Sequence, residues 1–284
     1  MNFTKMQGAG NDFIIINNMD SSLPCDIFSS MSKRLCTRRL SIGADGLMVL
    51  VPSEKDADFK MLFYNSDGSL GEMCGNGARC ICRYAYEKKI SGIHQTVETT
   101  AGLVYGDRIS EREYRIQLND PTLIKNDMAV TINGDTMIVD YVELGDPAIP
   151  HCIVTLPHSN EIDFDQLRPL AKSLRNYTEF PKGANVNFVI INSNNELTAA
   201  TFERGVEDFT YACGTGCGSI VTALSRKGII NNKNVSIQMP GGLLSVSVEL
   251  DDNKAYDLYL TGPTNIVCEG TITDEDFDIE KTAL

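Results

Sequence analysis

At 284 residues, the chain is long enough for two domains of ordinary size. An apolar fraction of 42 % describes a globular protein, and a net charge of −13 excludes a surface built for nucleic acid or anionic lipid, which needs clustered Lys and Arg. Phe13-Ile14-Ile15-Ile16 is too short to span a bilayer and lacks the flanks of a signal peptide, so a cytoplasmic location is expected.

In chain order, Met6-Gln7-Gly8-Ala9-Gly10-Asn11-Asp12 reads as a turn feeding a strand from Phe13 to Asn17. It is not a dinucleotide fingerprint, because that motif follows a strand, opens a helix and has a third glycine where Phe13 stands. Ser29 to Arg39 reads as a helix, and the Ser30-x-x-Lys33 within it has no partner motif nearby. Ile42 to Gly46 leads into a strand through Val51, and a strand from Phe59 to Tyr64 precedes Met73-Cys74-Gly75-Asn76-Gly77-Ala78-Arg79. After Cys74 the apolar residues Ala78, Ile81 and Ala85 have helical spacing, which Lys88-Lys89 and Gly92 end. Thr96 to Gln117 reads as strands with turns at Ala101-Gly102 and Gly106-Asp107, and Asn119 to Asp127 as a loop-rich junction. A strand from Leu197 to Phe202 then precedes Ala212-Cys213-Gly214-Thr215-Gly216-Cys217-Gly218. Here a second Cys-Gly-x-Gly opens a helix through Ile220, Ala223 and Leu224 to Lys227-Gly228.

The repetition extends beyond the cysteines. Gly43-Ala44-Asp45 lies over Gly183-Ala184-Asn185 at a shift of 140, and Phe63-Tyr64-Asn65 over Phe202-Glu203-Arg204 at 139. Ala101-Gly102-Leu103 lies over Gly241-Gly242-Leu243 at 140, and Tyr114 to Pro121 over Tyr256 to Pro263 at 142. The chain therefore reads as an internally duplicated α/β protein. A first half, 1–121, carries Cys74; a second, 122–263, carries Cys213; and a tail, 264–284, packs back on the first half. A pseudo-twofold pair would set the two helix N-termini across a cleft.

A helix N-terminus favours a thiolate, and glycines let backbone N–H groups crowd an anion. A single nucleophilic cysteine needs a histidine beside it, and neither loop contains one. Two opposed thiols suit removal of a proton from one face of a carbon and return of a proton to the other. That is racemisation or epimerisation, with the glycine-rich loops holding the carboxylate on which charge builds. The chemistry requires no cofactor and no metal. Cys74, Cys80 and Cys82, or Cys213 and Cys217, do not form a Cys-x2-Cys knuckle, and only His94, His151 and His158 could complete a zinc site. Nine cysteines, an odd number without an export signal, fit free thiols in a reducing compartment.

These residues resemble the diaminopimelate epimerase family over nearly the whole chain. The shared motifs are Gly10-Asn11-Asp12-Phe13, Gly43-Ala44-Asp45-Gly46, Asn65-Ser66-Asp67-Gly68, Met73 to Arg79, Asn185, Phe202-Glu203-Arg204-Gly205-Val206, Ala212 to Gly216 and Pro240-Gly241-Gly242. The resemblance implies two pseudo-symmetric domains, each a wrapped, mainly antiparallel sheet around a central helix. It implies Cys74 and Cys213 as the acid/base pair, with the Gly75-Asn76 and Gly214-Thr215 backbone on the reacting carboxylate. Asn65, Asn185 and Arg204 would hold the distant carboxylate and Glu203 an amino group, with Asn11 a further contact and His151 a supporting residue. Without the family, Arg204 reads as a surface ion pair with Glu203 or Glu207, and Asn65 and Asn185 as turn residues. Two departures stand out. Where the family has Gly-Asn-Pro-His, this chain has Gly145-Asp146-Pro147-Ala148-Ile149-Pro150-His151, and Thr37 replaces an Asp before Arg38.

The expected activity is cofactor-independent epimerisation of LL- to meso-diaminopimelate, for lysine and peptidoglycan precursors. The expected partner is a small amino-acid substrate, with neither nucleic acid nor membrane, and a homodimer is an allowed assembly. The rivals are a racemase of the same family for another amino acid, which the Asp146/Ile149 change would favour, and a thiol redox or metal-buffering protein. The latter leaves Asn65, Asn185, Glu203 and Arg204 without a role.

Overall fold

The computed structural model describes residues 1–71, 73–158, 161–252 and 254–273. The chain divides into two units, Met1–Ile116 with the stretch from Gly262 onward, and Gln117–Thr261. The first unit contains strands β1 (Asn2–Gly8), β2 (Asn11–Asn17), β3 (Gly46–Val51), β4 (Phe59–Asn65), β5 (His94–Thr99), β6 (Gly102–Arg108), β7 (Glu113–Gln117) and β17 (Asn265–Thr271). They pair in the order β17-β1-β2-β3-β4-β5-β6-β7, with β2/β3 and β4/β5 parallel and the other pairs antiparallel. The second unit contains β8 (Pro121–Ile132), β9 (Asp135–Leu144), β10 (Ile149–Thr155), β11 (Asn185–Ser193), β12 (Glu196–Glu203), β14 (Val235–Met239), β15 (Gly242–Leu250) and β16 (Ala255–Pro263). Their order is β8-β9-β10-β11-β12-β14-β15-β16, with β10/β11 and β12/β14 parallel. A short β13 (Asp208–Thr210) folds back on β12.

The two pairing patterns match strand for strand, as a duplication requires. They differ in where the outermost strand comes from. In the second unit it is β8, next in sequence to β9; in the first it is β17, from the far end of the chain. The remainder of the expected tail lies outside the described residues.

Each sheet is covered on both faces. In the first unit α1 (Phe28–Leu35) packs on β3 and β4 through Phe28, Met31 and Leu35, against Ile14, Ile16, Leu47 and Val49. Helix α2 (Gly75–Glu87) packs on β1, β2 and β6. Two apolar partners explain why β3 is buried along its whole length and shows no polar alternation. The second unit repeats this with α3 (Phe164–Arg175) over Val186, Phe188 and Phe202, and α4 (Gly214–Arg226) on β8, β9, β10, β11 and β15. Residues 76–85 of α2 and 216–225 of α4 are buried on every face, as in helices enclosed by sheet.

Three sequence expectations are corrected. The first helix stops at Leu35 instead of Arg39, because Thr37 Oγ1 donates to the Lys33 carbonyl and the Gly43 and Ala44 amides take those of Leu35 and Cys36. Gly106 is not a turn but lies inside β6, where a Cβ would stand 2.6 Å from Cys82 Sγ. The expected junction from Asn119 is strand β8 from Pro121 on, interrupted by a bulge between Lys125 and Met128.

That bulge serves α4. Asp127 adopts a left-handed conformation there, and its amide donates to Asp140 Oδ1 at 3.0 Å. Asp140 is 2 % exposed and receives Lys227, the C-cap of α4, at 3.3 Å and Asn126 Nδ2 at 3.0 Å. In the first unit Lys88, the C-cap of α2, meets Glu269 of β17 at 2.7 Å, but both side chains are exposed. Lys227→Met should therefore cost about 2–3 kcal/mol by stranding a buried carboxylate. Lys88→Met should cost less than about 1 kcal/mol. Urea unfolding of both variants measures the contrast; equal costs would mean that burial does not set it.

Candidate active site

Helix α3 starts conventionally: Asp163 Oδ1 accepts from the amides of Asp165 and Gln166. Helices α2 and α4 start on Cys74 and Cys213. Both N-cap residues are extended, at φ −125° and −113°, and neither makes a side-chain capping bond. The first intrahelical bonds are Ala78 N to Cys74 O (2.8 Å) and Cys217 N to Cys213 O (3.0 Å). The preceding amides point out of the helix start toward whatever anion the loop receives.

Around α2 the structure brings together Cys74, Gly75, Asn76 and Asn11. Asn76 is buried, and its Nδ2 donates to Asn11 Oδ1 at 2.5 Å. Asn11 Nδ2 in turn donates to Asp45 Oδ2 at 3.2 Å. Asp45 and Asp12 share Arg38, and Lys5 reaches Asp12 at 3.0 Å, so the two cations hold the Asp12 carboxyl below its usual range against the cost of its burial. Thr37, the milder departure from the family motif, only bonds the Lys33 carbonyl. Asn65 is not drawn into this group: its Nδ2 bonds Ser69 Oγ at 2.9 Å in the turn that Asn65 begins.

Around α4 the structure brings together Cys213, Gly214, Thr215 and Glu203. The Glu203 carboxylate accepts from Thr210 Oγ1 at 2.6 Å and faces the Cys213 thiol, and burial raises its pKa. The Cys213 thiol is raised well above its ordinary value, first by burial and then by the Glu203 charge. The Thr215 hydroxyl and Gly216 amide pull the other way. The helix N-terminus therefore does not dominate here as the sequence led us to expect: desolvation outweighs it, and Cys213 rests as a thiol.

Asn185 and His151 are register partners on adjacent parallel strands. Asn185 Oδ1 accepts the Arg204 amide at 2.8 Å, and its Nδ2 reaches the Pro150 carbonyl at 3.4 Å. The Arg204 guanidinium donates to the Lys182 carbonyl at 2.9 Å. Among the described residues no carboxylate pairs with it, and Glu207 bonds Arg175 instead. The surface-ion-pair reading of Arg204 is thus not what the chain adopts. Asp146 is exposed, and Ile149 opens β10 half-buried.

A residue not singled out from the sequence completes the group around α4. Asn187 is fully buried, bonds the Cys152 carbonyl (3.0 Å) and Thr201 Oγ1 (2.9 Å), and lies 3.3 Å from His151 Nδ1. A Cβ on Gly216 would collide with Asn187 Oδ1, which is why α4 needs glycine at that point. The available signal was Asn187 itself, an amide in an otherwise apolar strand. Among the described residues no cluster of three or more His, Cys, Asp or Glu could hold a metal ion, and no helix is long and apolar enough to cross a membrane.

His151 is fully buried, and burial, helped by the Arg204 charge, lowers its pKa to about 3. The folded chain then holds a neutral imidazole down to about pH 3, while the unfolded chain protonates it near pH ~6.5. Its contribution is complete above that pH and lost as pH falls, by up to about 1.4 kcal/mol per unit. Urea unfolding from pH 7 to 5 should show this slope in the wild type and a shallower one in His151→Asn; identical slopes would place the acid sensitivity elsewhere.

The family model described as diaminopimelate epimerase matches residues 3–120 and 146–267, leaving out the whole β8–β9 hairpin. A diaminopimelate epimerase of Aquifex aeolicus (strain VF5) is 34 % identical over 97 % of this chain and 99 % of its own length. That of Methanothrix thermoacetophila is 35 % identical over 97 % of each, and a chloroplastic enzyme of Oryza sativa subsp. japonica is 32 % identical over 95 % of this chain and 80 % of its own. Among solved structures, a probable proline racemase from Agrobacterium radiobacter K84 has a TM-score of 0.70 at 15 % identity, covering 99 % of this chain and 95 % of its own. A hydroxyproline epimerase from Agrobacterium vitis has a TM-score of 0.66 at 14 % identity, covering 96 % and 90 %. These two likenesses are of fold.

Proposed function

The chain belongs to the diaminopimelate epimerase family, and we propose on that footing that it interconverts LL- and meso-diaminopimelate in the cytoplasm by passing protons between Cys74, Cys213 and the α-carbon. The family's reaction serves lysine synthesis. The observation that carries the assignment is the pair of helix starts capped by cysteine alone. Each offers a sulfur beside the first backbone amides of a helix, which are the two things an α-proton transfer next to a carboxylate needs.

The proton balance closes without a cofactor. One thiolate takes the α-proton, the electron pair moves onto the carboxylate, and the other thiol delivers a proton to the opposite face. Charge on the carboxylate oxygens is met by the amides of Gly75, Asn76, Gly214 and Thr215. Each pair of donors is fixed at the start of a helix held within its own unit, so little local reorganisation opposes the step. With its raised pKa, Cys213 suits the donor role in the resting protein, which leaves abstraction from the first-bound epimer to Cys74. Arg204, held by Asn185 and the Lys182 carbonyl with no carboxylate partner among the described residues, is suited to the distal carboxylate, and Glu203 to holding Cys213 protonated. The second reading, an epimerase for another amino acid, is favoured by one observation: neither Asp146 nor Ile149 can donate a side-chain hydrogen bond to a distal carboxylate at neutral pH.

Exchange of α-hydrogen for deuterium, followed across a panel of amino acids, distinguishes these readings, and diaminopimelate should exchange fastest. Cys74→Ala and Cys213→Ala should each lose net inversion yet retain slow exchange with retained configuration, for opposite epimers in the two variants. Exchange of the same epimer by both would sink the two-thiol mechanism. Arg204→Lys should lose at least ~2 kcal/mol of transition-state stabilisation, about thirtyfold in kcat/KM, because an ammonium cannot form the planar fork. Near-normal turnover of diaminopimelate by that variant would remove Arg204 from the distal site.

A further inference from the structure

Arg79 is 0 % exposed, among the largest fully buried side chains of the protein. A guanidinium taken wholly out of water is costly and needs a compensating role. Its NH2 donates to Asn76 Oδ1 at 2.9 Å, and NH1 lies 3.4 Å from the Gly75 carbonyl. Both contacts are to the turn that follows Cys74.

These contacts fix a direction. A guanidinium can only donate, so Asn76 must turn its oxygen toward Arg79 and its nitrogen away. The nitrogen meets Asn11 Oδ1 at 2.5 Å, which turns the Asn11 nitrogen toward Asp45 Oδ2 at 3.2 Å. The relay thus runs from a donor-only group to an acceptor-only group. Neither amide can flip without setting two donors or two acceptors face to face.

The duplicated half supplies a control. Five residues beyond Cys213 stands Gly218, whose absent side chain leaves room for Leu258 and Leu118, and Thr215 replaces Asn76. Helix α4 begins in the same way as α2 with no guanidinium beneath it, so this turn does not need one in order to fold. We infer that Arg79 is a positioning residue for the epimerisation: it locks the Asn76 amide, and through it Asn11, and so holds the Gly75-Asn76 turn in the shape that receives the carboxylate. The inference rests on the reaction proposed above.

In the full-length protein, Arg79→Met keeps the bulk and removes every donor, whereas Arg79→Lys keeps one. The Met variant should lose about thirtyfold or more in kcat/KM on diaminopimelate while unfolding cooperatively, and the Lys variant should recover a substantial part of that loss. Combining Arg79→Met with Asn76→Ala should be no worse than Asn76→Ala alone, because both break one relay. The same failure to multiply is required of Arg79→Lys with Asn76→Ala should the Met variant not fold. A readout independent of activity is the Asn76 side-chain amide, whose protons should exchange slowly in the wild type and faster when Arg79 is replaced. Equal activity of the Met and Lys variants, losses that multiply, or unchanged amide protection would overturn the role of Arg79. Absence of wild-type exchange on diaminopimelate would instead overturn the reaction, and the amide measurement still decides the relay.

Discussion

A buried helix must do something with its first amides. They have no partner inside the helix, and the ordinary remedy is an oxygen-bearing cap such as Asp163 on α3. Helices α2 and α4 are enclosed by strands of their own units and start on cysteines that do not cap. The surrounding residues serve that arrangement. Glycine makes room inside both starts: Met48 packs over Gly77, and a Cβ at Gly216 would run into the buried, hydrogen-bonded Asn187. The far end of α4 is tied down by Lys227 on a buried carboxylate, which prevents the helix from sliding to relieve its own N-terminus.

The two halves then diverge in charge on a common backbone. Where the first has Tyr64 and Asn65, the second has Glu203 and Arg204; where the first has Arg79, the second has Gly218. One helix start therefore lies above a buried cation and the other beside a half-buried carboxylate. Similar backbone geometry thus carries unequal charge, and at Cys213 burial and the Glu203 charge raise the thiol pKa.

The sequence made some levels of this design legible and hid others. The central helices and their cysteine caps were readable because glycine, helical spacing and repetition mark them three times over. Gly106 misled, since a glycine that makes room for Cys82 looks in the sequence like one that makes a turn. The Asn119–Asp127 stretch also misled, because its polar residues form a bulge inside β8 instead of a linker. The direction of the Cys213 shift could not be read at all: it depends on burial and on Glu203, ten positions away, and only the folded β12 brings that carboxylate to the thiol. Apart from the family motif, Arg204 reads as a surface ion pair, and the fold gives Glu207 to Arg175 instead.

The source of the outermost strands bears on how the chain is made. All eight paired strands of the second unit follow one another between Pro121 and Pro263, so that sheet can assemble as its residues emerge. The first unit has its first seven strands by Gln117 but leaves the edge of β1 unpaired until Asn265–Thr271 is synthesised. For most of translation the older half therefore carries an open β edge, the kind of surface that recruits foreign strands. The codons for Asn265–Thr271 act as a latch on those for β1. A ribosome stalling after Pro263 would release a chain with its second sheet complete and its first still open to aggregation.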